Sequence, residues 1–148
     1  MIYNYSVHRR AVSNETVPPI RGAADAASYL NRFCYGPDDD DPRERVFVIM
    51  LDRQNNPTGH HLASVGGENG TFLDVKYVVR AAILAGASKI VLSHSHPHGD
   101  AEPSRSDIEN TQRLKRACDV FDIQVLDHVI MAGNKYYSFC EESTGKIR

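Results

Sequence analysis

This chain has few cysteines, little net charge and no long apolar run. Its three cysteines, Cys34, Cys118 and Cys140, form no CxxC pair and are odd in number, which argues against a disulfide framework or a cysteine-rich zinc site. A net charge of -2 provides no overall field that would attract nucleic acid. No segment approaches the ~18 apolar residues of a membrane span, and the N-terminus lacks the apolar core of a signal peptide. We therefore expect a protein of the reducing cytoplasm, with neither nucleic acid nor membrane as a partner.

The length of the chain fits one domain. At 148 residues, folding hides roughly 70% of the surface that the extended chain exposes, which is enough for a core without disulfides. The 41% apolar and 24% charged residues are those of an ordinary globular protein. Residues 1–21 are polar and contain Pro18-Pro19, so we predict an N-terminal arm there and a single domain over residues 22–148.

Apolar periodicity and turn residues predict an alternation of helices and strands. The predicted helices are Ala23 to Phe33, Val75 to about Ala85, and a third from about Ser104 to Asp122. The predicted strands are Val46 to Leu51, His61 to Val65, Lys89 to Ser93, Gln124 to Met131 and Lys135 to Phe139. This order favours an α/β domain with a mixed sheet sandwiched by helices.

The segment HSHPHGDAEPSRSD, from His94 to Asp107, has the spacing of a catalytic metal site. His94 and His96 follow a buried strand two residues apart, so both side chains point to the same side of the sheet. The turn residues between them and the next helix can bring Asp107 back to that point. Two imidazoles and one carboxylate leave one position of a tetrahedral zinc ion open for water. Such a site makes hydroxide available at neutral pH and predicts hydrolysis.

Two alternatives explain parts of this segment without zinc. Ser104 followed by an acidic residue at Asp107 is close to a capping box, which needs no metal. Both roles are compatible, because Ser104 can cap the helix and still direct its hydroxyl at a substrate oxygen. The same ligand set also serves iron(II) oxygenases. The remaining nearby histidines are more often ordinary packing or surface residues, and we place them outside the ligand set: His60, His61, His98 and His128.

The motif resembles the JAMM signature of the JAB/MPN metalloprotease superfamily, and more closely the RadC family. Other segments that look like RadC follow in order, over about Ala23 to Phe139: Val46 to Asp52, Gly70-Thr71, Lys89 to His94 and Val125 to Ile130. His98 departs from the resemblance, since the family commonly has serine there. Only a short arm stands before Ala23, so we expect a stand-alone domain without the helix-hairpin-helix region of longer RadC proteins.

The resemblance implies a deaminase-like three-layer α/β/α core in which His94, His96 and Asp107 bind zinc. It implies a hydrolase of amide, peptide or isopeptide bonds, hence a peptide or protein substrate, with Ser104 stabilising the oxyanion. It also implies an upstream catalytic glutamate. Alignment on Leu51-Asp52 places Glu44 there, and Glu68 is a second candidate. A carboxylate beside the attacking water can accept its proton and return it to the leaving amine, although Glu44 could merely belong to a charged run.

A second hypothesis is a non-catalytic metal-binding module that serves DNA repair or protein interaction. A nuclease role is less favoured, because the sequence contains neither a second carboxylate cluster nor a basic run. The predicted strand pairs leave exposed sheet edges that could support a homo-oligomer.

Overall fold

Three α-helices and six strands make up the part of the chain that the computed structural model describes, residues 1–66 and 73–147. The helices are α1 (Ala23–Tyr29), which continues into a π-helical turn (Leu30–Tyr35), α2 (Val75–Leu84) and α3 (Arg105–Val120). The strands are β1 (Arg45–Leu51), β2 (Pro57–Val65), β3 (Lys89–Ser95), β4 (Gln124–Ala132), β5 (Lys135–Ser138) and β6 (Ser143–Lys146).

The strands form one mixed sheet in the order β2-β1-β3-β4-β5-β6. Only β3 and β4 pair in parallel, and the other neighbours are antiparallel. A parallel pair requires a crossover connection, which α3 provides here. The loop that leads from β3 into α3 therefore lies at the carboxyl end of a central strand, where open α/β sheets commonly place their sites.

Helices cover both faces of the sheet. Alternate β1 residues point to opposite sides: Phe47, Ile49 and Leu51 pack in one apolar cluster with α1, whereas Val46, Val48 and Met50 pack in another with α2 and α3. The predicted three-layer α/β/α arrangement is confirmed.

Several element boundaries differ from the sequence-based prediction. The first helix changes to π geometry at Leu30 and ends at Tyr35. The next residue, Gly36, has a φ of 92°, a backbone conformation that favours glycine. Strand β2 begins at Pro57 rather than His61, because it pairs with β1 as far as Leu51 across two register shifts. Strand β6 was not predicted, since its polar residues show no apolar alternation. It forms by pairing with β5. Glycine is needed at position 145, because a Cβ there would lie 2.4 Å from the Tyr136 ring.

The N-terminal residues run outside the sheet. Residues 1–21 contain no helix or strand, and most of them are exposed. The segment is attached near its end by Ile20, which is 2% exposed and donates its N–H to the carbonyl of Asn55 at 2.9 Å. No helix in the described part of the chain combines the length and the apolar character needed to cross a membrane.

A buried carboxylate connects β4 to the turn after β5. Asp127 is 7% exposed and accepts hydrogen bonds from the N–H groups of His128 (2.7 Å) and Cys140 (2.9 Å) and from the Ser138 hydroxyl (2.6 Å). Burial raises the pKa of the Asp127 carboxyl, against the lowering effect of these hydrogen bonds. We expect Asp127→Ala to reduce the free energy of unfolding by about 3 kcal/mol, because it leaves buried donors without acceptors.

Asp127→Asn retains an oxygen acceptor and should cost less, about 1 kcal/mol. Since the native pKa is raised, the wild-type protein loses stability from this group as the pH rises from 3.8 through the native value. The asparagine variant has no such loss, so its deficit should shrink between pH 4 and pH 8. Urea unfolding across that range measures both effects. Asp122→Asn, at an exposed positive-φ position that asparagine tolerates, is the matched control. A deficit that grows with pH would contradict this account.

Candidate metal centre

Two elements place the three predicted ligands at one point. His94 lies on β3 on the same side as Ile90 and Leu92, facing α2 and α3, and is 6% exposed. His96 follows the strand end, where its N–H donates to the carbonyl of Met131 at 2.8 Å. Asp107 lies in the first turn of α3. The carboxyl end of β3 and the start of α3 thus converge.

The start of α3 is fixed by a reciprocal capping box. Ser104 Oγ accepts from the Asp107 N–H at 3.1 Å, and Asp107 Oδ2 accepts from the Ser104 N–H at 2.8 Å. The cap holds the Asp107 carboxylate in a set orientation, in which Oδ1 lies next to His94 and Oδ2 next to His96. The predicted capping box is therefore present, and the carboxylate that forms it also lies beside the two histidines.

The candidate ligand atoms lie close to the separations found around a tetrahedral ion. His94 Nε2 lies 3.3 Å from Asp107 Oδ1, and His96 Nε2 lies 3.4 Å from Asp107 Oδ2. The two Nε2 atoms are 2.9 Å apart. Ligands about 2.0 to 2.1 Å from a tetrahedral zinc ion lie roughly 3.3 to 3.4 Å from one another. The two separations that involve Asp107 match these values, whereas the two Nε2 atoms lie closer and would move apart around an ion. Together the three side chains form a group that could hold a metal ion.

The hydrogen bond on the far side of the His96 ring shows which of its nitrogens has the lone pair. His96 Nδ1 lies 2.9 Å from the carbonyl oxygen of Asp100, which can only accept, so His96 has its hydrogen on Nδ1 when neutral. His94 Nδ1 lies 2.7 Å from Nε2 of the buried His128. Both Nε2 atoms point into the same space. Two lone pairs 2.9 Å apart repel unless a proton or a metal ion lies between them.

The electrostatics of the site favour a cation. Burial alone would raise the pKa of the Asp107 carboxyl, but its contacts with the His94 and His96 imidazoles outweigh burial and hold that pKa well below its usual range. The hydrogen bond with Asp107 raises the pKa of His96, and the charge of Glu44 adds to this effect. A carboxylate that stays ionised between two imidazoles is a ready ligand for a divalent metal.

Glu44 approaches the same point from β1. Val46 on β1 pairs with His94 on β3, so the antiparallel register continued by two residues on each strand places Glu44 opposite His96. Glu44 also lines a small cavity of about 30 Å³ with His94 and Asp107, a volume large enough for a water molecule. The structure therefore brings Glu44 next to the three ligands.

The remaining predicted residues have different positions. Ser104 is exposed and its cap hydrogen bond uses an oxygen lone pair, which leaves the hydroxyl hydrogen available to a substrate. Glu68 lies outside the described residues. His60 bonds the Tyr29 hydroxyl at 2.9 Å, and His61 and His98 are exposed.

Two further residues lie beside the candidate ligands: sequence reasoning missed Asn110 and placed His128 among the ordinary packing residues. Asn110, one turn after Asp107, lines the cavity together with the metal ligands. His128 lies directly behind His94. Its only sequence signal is its position in a buried strand, and strand alternation alone does not show which face it occupies.

Comparisons with known proteins agree with this architecture. A family model described as RadC-like JAB domain matches residues 20–145. A UPF0758 protein of Coprothermobacter proteolyticus is 35% identical over 138 residues, which are 92% of this chain and 59% of the relative. A UPF0758 protein of a Psychrobacter species is 40% identical over 102 residues, 69% of this chain and 45% of the relative.

The chain spans about half the length of the curated relatives it matches, and the name UPF0758 states no activity. The family match covers the helices, the candidate ligands and the sheet up to residue 145 in β6. The chain belongs to the RadC-like JAB domain family.

Proposed function

We propose that this chain is a zinc-dependent hydrolase that cleaves an amide bond, in a peptide or as an isopeptide link, of a peptide or protein substrate. One observation carries the proposal: the Nε2 atoms of His94 and His96 and the carboxylate of Asp107 lie 2.9 to 3.4 Å apart. The hydrogen bond from His96 Nδ1 to the Asp100 carbonyl leaves the lone pair of His96 Nε2 directed inwards. When bound there, zinc supplies a Lewis acid that polarises a carbonyl and makes hydroxide available at neutral pH.

The protein's own residues would perform the proton transfers. Glu44 lies on the cavity that can hold water, so its carboxylate can accept a proton from the attacking water and pass it to the leaving amine. The Ser104 hydroxyl can donate to the developing oxyanion, because its capping bond leaves its hydrogen available. Val46, Leu73 and Leu92 form the apolar wall of the cavity, where electrostatic interactions are stronger than in water.

Metal analysis and activity together test the proposal. We expect purified protein to contain or take up one zinc ion per chain, measured by inductively coupled plasma mass spectrometry of anaerobically prepared samples. A library of peptides and isopeptide-linked conjugates should be cleaved, cleavage should stop with a chelator, and added zinc should restore it. Iron in place of zinc would support the oxygenase alternative. Stoichiometric zinc with no cleavage of any amide would instead support the non-catalytic module.

A further inference from the structure

A buried histidine behind the ligands has no role in the chemistry proposed above. His128 belongs to β4, faces α3 and is 1% exposed. Its Nε2 is 2.7 Å from His94 Nδ1, and its Nδ1 is 2.6 Å from the Thr111 hydroxyl oxygen. Its ring stacks on Phe139, with centroids 4.5 Å apart and planes within 4°. Both ring nitrogens are thus engaged and the ring has little freedom to turn.

The direction of each hydrogen bond follows from the last acceptor in this chain of contacts. The Thr111 hydroxyl lies 2.6 Å from the backbone carbonyl of Asp107, which can only accept, so its single hydrogen points there. Thr111 Oγ1 must then accept from a hydrogen on His128 Nδ1. A neutral imidazole has one ring hydrogen, so with that hydrogen on Nδ1 the His128 Nε2 has a lone pair and accepts from His94 Nδ1.

We propose that Thr111 and His128 form a buried relay that fixes His94 as the Nδ1–H tautomer and so directs the lone pair of its Nε2 at the metal position. His128 is a positioning residue, because it acts only through His94. The relay also begins at the backbone of Asp107, so it connects the ligand on α3 with the ligand on β3. The inference rests on the proposed metal centre but not on the proposed hydrolysis.

Removing the Thr111 hydroxyl should reverse the relay. In Thr111→Val a hydrogen on His128 Nδ1 has no acceptor, so the other tautomer of His128, with its hydrogen on Nε2, becomes favourable. That hydrogen points at His94 Nδ1, which must then accept. His94 then has its own hydrogen on Nε2, where it blocks the metal. Valine has nearly the shape of threonine, so packing changes little.

Two variant pairs separate this effect from packing. Thr111→Val and His128→Phe break the relay, and phenylalanine can still stack on Phe139. Thr111→Ser retains the hydroxyl, and His128→Gln retains an oxygen that can accept from His94. We expect the zinc dissociation constant, measured by competition with a chromophoric chelator, to rise about 10- to 100-fold for the first pair. It should stay within about threefold of wild type for the second pair.

Nitrogen-15 NMR of labelled histidine in the metal-free protein gives the readout that a merely structural role would not change. We expect His94 Nδ1 to have a hydrogen in wild type and Thr111→Ser, and to lack one in Thr111→Val, whichever Nε2 atom holds the proton between the two ligand histidines. Thermal unfolding of each metal-free variant establishes that it is folded.

A wild-type His94 without a hydrogen on Nδ1 would overturn the proposal. So would wild-type zinc affinity in folded Thr111→Val, or an equal loss of affinity in Thr111→Ser. Failure of wild-type protein to bind zinc would instead refute the proposed function, while the tautomer of His94 would still test the relay.

Discussion

Zinc affinity should fall at least 100-fold when Asp107 is changed to asparagine, with amide hydrolysis falling in parallel. Asparagine keeps an oxygen that can accept from the Ser104 N–H, so the cap of α3 persists. It lacks the negative charge that lies 3.3 and 3.4 Å from the two imidazoles. A neutral amide is a poor ligand for a divalent ion. Replacing a residue that only contacts a ligand typically lowers metal affinity 10- to 100-fold. Losing a ligand itself should therefore lower the affinity by more than that. Calorimetric titration with zinc gives the affinity.

Ser104→Ala is the matched control for this experiment, because it removes the other half of the capping box and leaves every ligand in place. It should lower the free energy of unfolding by about 1 kcal/mol and leave zinc affinity close to wild type. If Asp107→Asn binds zinc as tightly as wild type does, Asp107 caps the helix but is not a ligand. In that case the metal interpretation of the site fails.

Changing Glu44 to glutamine should leave zinc binding intact and reduce the turnover of an amide substrate about 10²- to 10⁴-fold, the usual contribution of general acid–base catalysis. Glutamine is close in shape to glutamate but cannot accept a proton at neutral pH. The effect should appear in kcat rather than KM, because Glu44 lies on the small cavity beside the ligands. Glu109→Gln, which removes only an exposed ion pair with Arg105, is the matched control.

The same substitution separates the two functional hypotheses. A hydrolase loses its cellular function with Glu44→Gln, while a metal-binding module keeps it. If glutamine at position 44 retains full turnover, then Glu44 is not the proton acceptor and another carboxylate must fill that role.

The fold was largely predictable because its core elements have strong apolar patterns. The runs in β1 and β3 are buried on both faces, and such strands read as continuous apolar segments. Strand β6 was not predicted, because it is polar and forms by pairing with β5. The pairing also depends on Gly145, which allows the close approach of the Tyr136 ring. The change of helical type at Leu30 also has no local signal.

The ligand set was predictable for a different reason. His94, His96 and Asp107 belong to one short segment whose strand end, turn and helix start leave little conformational choice. Glu44 was identified as the candidate catalytic glutamate only through the family resemblance, because a glutamate in a charged run has no distinguishing local pattern. Its placement opposite His96 follows from the register between β1 and β3.

The amino-acid sequence by itself determined the chemistry of this site, since two imidazoles and a carboxylate at this spacing can meet at one point and bind a metal. Only the tertiary structure decided which nitrogens point inwards. A register shift in β4 between the residues that face Ile90 and Val91 places His128 opposite Leu92, on the side of His94. Regular alternation from Val125 would have turned it to the other side of the sheet. Hydrogen-bond directions depend on such pairings between distant segments, and no local pattern encodes them.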